Sequence, residues 1–213
     1  MTTHGTVYLV GSGQDGVLEQ VARRAMHALG KDRPRVAVTY APVSGDARGL
    51  KFMTDRMGRL FPGAVLETIE DDPAVVERAD LVFVSGGDPT LGAKVLEASG
   101  AAQWLRQASA RGVPVMGVSA GSIVLGAWWA DWPEDDSEEL DDIRLVACTR
   151  VVDGHVFDTH NEEDGWDELR IVAELCDRRG ESARFLGIPT GGALVFAAGG
   201  GMEVVGEPPF TLR

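Results

Sequence analysis

The chain has 213 residues, 44% of them hydrophobic and 25% charged, with a net charge of −13. This is the composition of a globular chain long enough to bury a core. The acidic balance excludes a nucleic-acid partner, which requires a basic face, and no run approaches the ~18 apolar residues of a membrane span.

The N-terminus, Met1 to Gly5, has neither a basic stretch nor a cleavage pattern, so no secretory leader is expected. Cys148 and Cys176 are too few for a disulfide scaffold or a four-ligand zinc site, and two reduced thiols in a cytoplasmic protein are the expectation. The excess charge is local. Between Asp131 and Glu168 there are 15 acids and two bases, Arg144 and Arg150, while the rest of the chain is neutral. Such a stretch is either a solvated loop that aids solubility or a negative rim that attracts cations.

In chain order, Thr6 to Val10 reads as a strand closing at Gly11-Ser12-Gly13, and a helix follows from Asp15 to Leu29 at a period near 3.6. Gly30 is a helix-ending residue. Arg35–Tyr40 is a second strand, Gly45–Leu60 a helix, Ala64–Ile69 a third strand and Asp80–Val84 a fourth. Helices are expected at Pro89–Ala98 and Ala101–Ala110, a fifth strand at Val113–Gly117, and a helix from Ser119 to about Trp128. Short strands near Leu145–Cys148 and Val151–Val156 precede a helix at Asp164–Arg179. The chain closes with strands Phe185–Ile188, Ala193–Phe196 and Met202–Val205, the last two joined by a tight turn at Gly199-Gly200-Gly201. Apolar strands alternating with helices predict one α/β domain over residues 1–213, with a mostly parallel sheet covered by helices on both faces and a short C-terminal hairpin.

Gly11, Gly13 and Gly16 spell G-x-G-x-x-G. However, the acid that a dinucleotide site carries about 20 residues on is not evident at the end of the second strand, so the run is read as a glycine turn feeding the first helix.

Gly117-Val118-Ser119-Ala120-Gly121 is the most informative segment. It fits G-x-S-x-G between a strand and a helix, where a sharp turn lifts a serine hydroxyl above the sheet edge and aims free helix N–H groups at the same point. A serine nucleophile needs a base. His4 lies in the N-terminal tail, His27 in the first helix and His155 inside a strand-like run; His160, in a polar loop after that run, is the favoured base.

Four segments together resemble the aspartyl dipeptidase (dipeptidase E) and cyanophycinase family of serine peptidases. These are Ser85-Gly86-Gly87-Asp88 after a strand, the Gly117–Gly121 elbow, Asp158-Thr159-His160, and Gly187-Ile188 followed by Ala193-Leu194-Val195. The resemblance implies a class I glutamine amidotransferase-like (flavodoxin-like) fold, with Ser119 as nucleophile, His160 as general base, and an oxyanion hole at the N–H groups of Gly87 and Ala120. Gly86, Gly87, Asp88 and Ala120 then flank the substrate, a small peptide or amide. No cofactor or metal is expected, and the family allows a monomer or a homodimer.

Two departures stand out. The family's C-terminal acid is missing from Gly187–Gly192, so the acid that orients His160 is expected to be Glu162 or Asp158, with an acid between Asp131 and Asp142 as a further possibility. The basic residues that follow the histidine in aspartyl-peptide members are replaced here by Asn161 to Glu168, which disfavours acidic substrates. An inactive homologue that binds a small molecule, and an esterase or acyltransferase, are the alternatives. Trp128, Trp129, Trp132 and Trp166 are read as core, or as a wall of the substrate cleft.

Overall fold

The computed structural model describes residues 5–14, 16–133 and 140–212. His4, the expected helix start at Asp15, and the acids at 134–136, 138 and 139 lie outside the described residues.

The first half alternates strand and helix: β1 (Val7–Val10), α1 (Val17–Leu29), β2 (Arg35–Thr39), α2 (Ala47–Leu60), β3 (Val65–Thr68), β4 (Leu81–Val84), α3 (Pro89–Ala98), α4 (Ala101–Ala110), β5 (Val115–Val118) and α5 (Ala120–Val124). The second half carries β6 (Trp128–Asp131), β7 (Arg144–Ala147), β8 (His155–Thr159), α6 (Asp167–Arg178), β9 (Arg184–Ile188), β10 (Gly192–Phe196), β11 (Met202–Gly206) and β12 (Phe210–Leu212).

Seven strands form the central sheet in the order β11-β10-β1-β5-β4-β2-β3. β1, β5, β4, β2 and β3 run parallel, and the β10–β11 hairpin adds to β1 antiparallel. The reason both faces are covered is written in the strands. Val7 and Leu9 of β1 enter one core while Tyr8 and Val10 enter the other, and Val82 and Val84 of β4 oppose Leu81 and Phe83 in the same way. With apolar side chains on both faces, neither face can be left in water. α1 and α2 cover one side through Leu18, Val21, Met53 and Met57. α3, α4 and α5 cover the other with Leu96, Leu105 and Ile123, and α6 extends that core with Leu169 and Val172.

Three stretches differ from the sequence reading. The helix after Ser119, expected to run to about Trp128, stops at Val124, and Trp128–Asp131 is β6, paired with β7. The cause is long-range. The N–H groups of Thr149, Val152 and Arg150 donate to the carbonyls of Val124, Leu125 and Gly126 at 2.9, 2.9 and 2.8 Å, satisfying the helix end from across the fold. Residues 149–152 are thereby drawn away from the strand expected at Val151–Val156, which forms later as β8, parallel to β9. β12, which the sequence reading did not anticipate, pairs with β9 to complete a second sheet, β12-β9-β8.

Among the described residues no helix is long and apolar enough to cross a membrane. Cys148 and Cys176 are free and buried, and burial pushes their thiols up to about 12 and about 11.

Candidate active site

The parallel strands β4 and β5 are neighbours, with Val84 opposite Gly117, so the loops leaving their C-terminal ends lie side by side. This is the edge of a parallel sheet where ligands bind. β5 turns into α5 through Ser119, whose φ of 51° and ψ of −127° are a strained pair for a residue with a side chain. The two flanking glycines make that turn possible. A Cβ on Gly117 would sit 2.5 Å from the Gly121 carbonyl oxygen, and one on Gly121 would collide with the Val84 carbonyl oxygen. The turn is anchored to β1. Ser119 N–H donates to the Val10 carbonyl at 2.9 Å, and the Ser122 hydroxyl accepts from Val10 N–H and donates to Val10 C=O, both at 2.9 Å. The strain is therefore held by a buried, fully bonded support.

His160 arrives from the second sheet. It follows β8 directly, and its N–H donates to the Ile188 carbonyl of β9 at 3.0 Å. Its φ of 45° bends the chain out of the strand. The ring's Nε2 lies 2.8 Å from Ser119 Oγ. In the tautomer with the proton on Nδ1, the hydroxyl donates to Nε2, the arrangement in which an imidazole can take the proton as the oxygen attacks. Ser119 is half-buried and His160 exposed, so the pair opens to solvent. His155 faces elsewhere, with its ring stacked on Phe157 at 5.9 Å and burial lowering its pKa.

Gly86 and Gly87 leave β4 beside the serine. A Cβ on Gly86 would stand 3.8 Å from Ser119 Oγ, and one on Gly87, at φ 142°, would collide with the Pro42 carbonyl oxygen. Among the described residues neither the Gly87 nor the Ala120 N–H has a hydrogen-bond acceptor. Asp88 caps α3, its Oδ1 accepting from Leu91 N–H at 3.0 Å.

The two carboxylates nearest His160 in sequence bond elsewhere than to its ring. Glu162 Oε1 accepts from Thr190 N–H at 3.0 Å, tying the histidine loop to the loop between β9 and β10. Partial burial pushes the Glu162 carboxyl up, but the bonds from Thr190 and the nearby imidazole outweigh it and hold the group below the ordinary glutamate range. Asp158 is 1% exposed and accepts from Thr159 N–H at 2.7 Å and from Asn161 Nδ2 at 3.2 Å. Burial, followed by the charge of Glu168, pushes its carboxyl up to about 7. Ser119 is the hydrogen-bond partner of the His160 ring among the described residues.

A cleft of about 420 Å³ borders the glycine loop at Asp88 and is lined by Thr90, Lys94, Trp129, Asp131, Trp132 and Glu168 among others; neither Ser119 nor His160 is among its lining residues. Lys94 is paired with Asp131 at 2.7 Å. Glu168 makes no hydrogen bond or ion pair among the described residues, and its charge reaches His160; burial and the neighbouring Asp164 raise its pKa. Of the four tryptophans, Trp129 is both core and cleft wall and Trp132 lines the cleft, while Trp166 is buried in a stack with Phe210 at 5.8 Å and Trp128 lies under Arg150. The sequence reading took Asn161 and Glu168 only as the bounds of an acidic run and gave Thr190 no role. Asn161 and Glu168 border the histidine in sequence, but no spacing rule marks their partners. Among the described residues no three His, Cys, Asp or Glu side chains gather to hold a metal ion.

Comparison with known proteins bears on the fold and the family. A crystal structure of a peptidase from an acI-B1 actinobacterium superposes with a TM-score of 0.78 at 19% identity, covering 99% of this chain and 95% of that one. A structure of a candidate peptidase E protein from Listeria monocytogenes EGD-e superposes with a TM-score of 0.62 at 14% identity, covering 98% and 99%. At these identities the likeness is one of fold. Two curated relatives are pyridoxal 5'-phosphate synthase subunits PdxT. That of Fervidobacterium nodosum is 29% identical over 128 residues (59% of this chain, 62% of the relative), and that of Methanosarcina barkeri is 33% identical over 89 residues (42% and 44%). The chain thus spans less than two thirds of the length of either. The model of peptidase family S51 matches residues 7–204, from β1 into β11, and with that match across nearly all of its length the chain belongs to peptidase family S51.

Proposed function

We propose that this chain cleaves a small peptide or amide through an acyl-enzyme, with Ser119 as the nucleophile and His160 as the general base. The observation that carries the reading is the 2.8 Å contact between Ser119 Oγ and His160 Nε2 at a strained strand-to-helix turn. Ser119 Oγ attacks the carbonyl carbon as its proton passes to Nε2. The negative charge that forms on the carbonyl oxygen is met by the free N–H groups of Gly87 and Ala120. The imidazolium then gives its proton to the departing amine, and water, deprotonated by the same ring, releases the acid. Glu162 and Asp158 support His160 by holding its loop.

The substrate is a small peptide or amide whose group in the cleft is neutral or cationic. Asp88 and Glu168 line that cleft, and its one lysine, Lys94, is already paired with Asp131. An acidic side chain would meet uncompensated negative charge there.

A fluorophosphonate probe tests the nucleophile. The wild-type chain should label at Ser119, and Ser119→Ala should neither label nor turn over peptide. Labelling elsewhere, or unchanged turnover by Ser119→Ala, refutes it. Comparing matched ester and amide substrates separates a peptidase from an esterase. A dipeptide library in which Asp-containing members are cleaved faster than Lys- or Arg-containing ones refutes the substrate preference.

A further inference from the structure

We propose that Asp158 is a positioning residue that holds His160 in place by clamping the chain on both sides of it, with no hydrogen bond to the imidazole itself. The inference rests on the reading of His160 as the base of Ser119.

The geometry is specific. Asp158 is 1% exposed, and its two oxygens are used separately: Oδ1 accepts from the N–H of Thr159, the residue before His160, and Oδ2 from the side-chain amide of Asn161, the residue after it. Asn161 is itself buried. Between these two bonds the chain makes the left-handed bend at His160, φ 45°, that sends the ring out of β8 towards Ser119. A residue with a side chain holds such a conformation only where its surroundings over-determine it. Two further bonds complete the support: His160 N–H to Ile188 C=O at 3.0 Å, and Trp166 N–H to Asn161 C=O at 3.0 Å.

The contacts to Asp158, which include the Leu169 N–H of α6, are all donors, so the clamp is strongest with the ionised carboxylate. A protonated acid turns one oxygen into a hydroxyl, a weaker acceptor with a proton of its own to place, and so weakens one of these bonds. The charged groups that act on Asp158 do not favour ionisation. Glu168, on the packed helix α6, opposes it, Asp164 stands beyond Glu168, and no cation pairs with the carboxylate among the described residues. Together with burial, this places the ionisation of Asp158 at about 7. The clamp therefore tightens as pH rises through neutrality and loosens as it falls.

The test uses the full chain, Asp158→Asn and Asn161→Ala, with two readouts. The first is the rate of fluorophosphonate labelling at Ser119 from pH 5.5 to 9. The second is the NMR titration of His160 in chain carrying ¹³C-labelled histidine, which needs no turnover. In the wild type both readouts should show a step near pH 7 in addition to the ionisation of the imidazole. In Asp158→Asn that step should vanish, and labelling at pH 8 should fall by about ten- to a hundredfold, with KM for a cleaved peptide nearly unchanged. Asn161→Ala, which keeps the carboxylate, should keep the step but label more slowly. If Asp158→Asn labels within twofold of wild type at pH 8, or keeps the added step, the clamp is refuted. A wild type that fails to label while His160 still shows the Asp158-dependent step refutes the hydrolase reading and leaves the clamp standing.

Discussion

Replacing Asp158 with asparagine should stabilise the folded chain in mildly alkaline solution even as it slows the chemistry. The folded carboxyl ionises at about 7, raised by burial and by Glu168, against an ordinary value of about 3.9 in an unfolded chain. Between those two values the folded state binds more protons than the unfolded one. Stability is therefore full below about pH 4, declines as pH rises, and reaches its lower plateau above about pH 7. Three pKa units at about 1.36 kcal/mol each set a ceiling of about 4 kcal/mol on the cost of holding this carboxylate ionised. The gain from asparagine should be smaller, about 1–3 kcal/mol, because a buried amide also gives up water and directs an NH₂ towards Asn161. For a chain of this length that corresponds to a rise of roughly 2–10 °C in Tm. Thermal unfolding followed by circular dichroism at pH 5 and pH 8 measures it. At pH 5 only about a third of that cost has developed, because the unfolded group is ionised there while the folded one is still neutral, so the variant should gain less at pH 5 and most at pH 8. Equal shifts at the two pH values, or a loss of stability at pH 8, would show that the carboxylate is not held against its own ionisation.

Three further outcomes follow from the site. Gly87→Ala would place a methyl group against the Pro42 carbonyl at φ 142°; it should cost about 1–3 kcal/mol in urea unfolding and, by displacing an oxyanion donor, about 10²–10³ in kcat. Glu162→Gln keeps an oxygen for Thr190 N–H but removes the charge near His160, so kcat/KM should fall by only about threefold, a loss worth well under 1 kcal/mol; a hundredfold loss would instead make Glu162 a direct partner of the imidazole in the working enzyme. Glu168→Gln removes one of the two charges in the cleft that lack a cation. Competition between matched dipeptides should then show turnover of acidic members rising about three- to tenfold relative to neutral ones. No relative change would mean that the substrate does not reach this wall.

The strained strand-to-helix turn at Ser119 and the layered sheet were legible in the chain because both are local. The elbow needs five consecutive residues whose glycines remove the side chains that would clash at Gly117 and Gly121. The two-faced burial of β1, β2 and β4 shows as uninterrupted apolar runs. The choice of His160 over His155 also needed only a strand end and a polar loop. The orienting acid could not be read the same way. An extended chain would set Asp158 and Glu162 on the side of the imidazole, but the bend at His160 breaks that register, and the carboxylates bond to Thr159, Asn161 and Thr190 instead.

The order of residues by itself determined where a hydroxyl would be lifted from a sheet edge and which runs must be covered on both sides, since short-range sterics and side-chain period fix these within a few neighbours. Only the folded chain decided that α5 ends at Val124, that Trp128–Asp131 becomes a strand, and that a histidine 41 residues beyond Ser119 meets it at 2.8 Å. Those outcomes depend on hydrogen-bond partners supplied from distant segments, and such partners exist only once the two sheets have packed together.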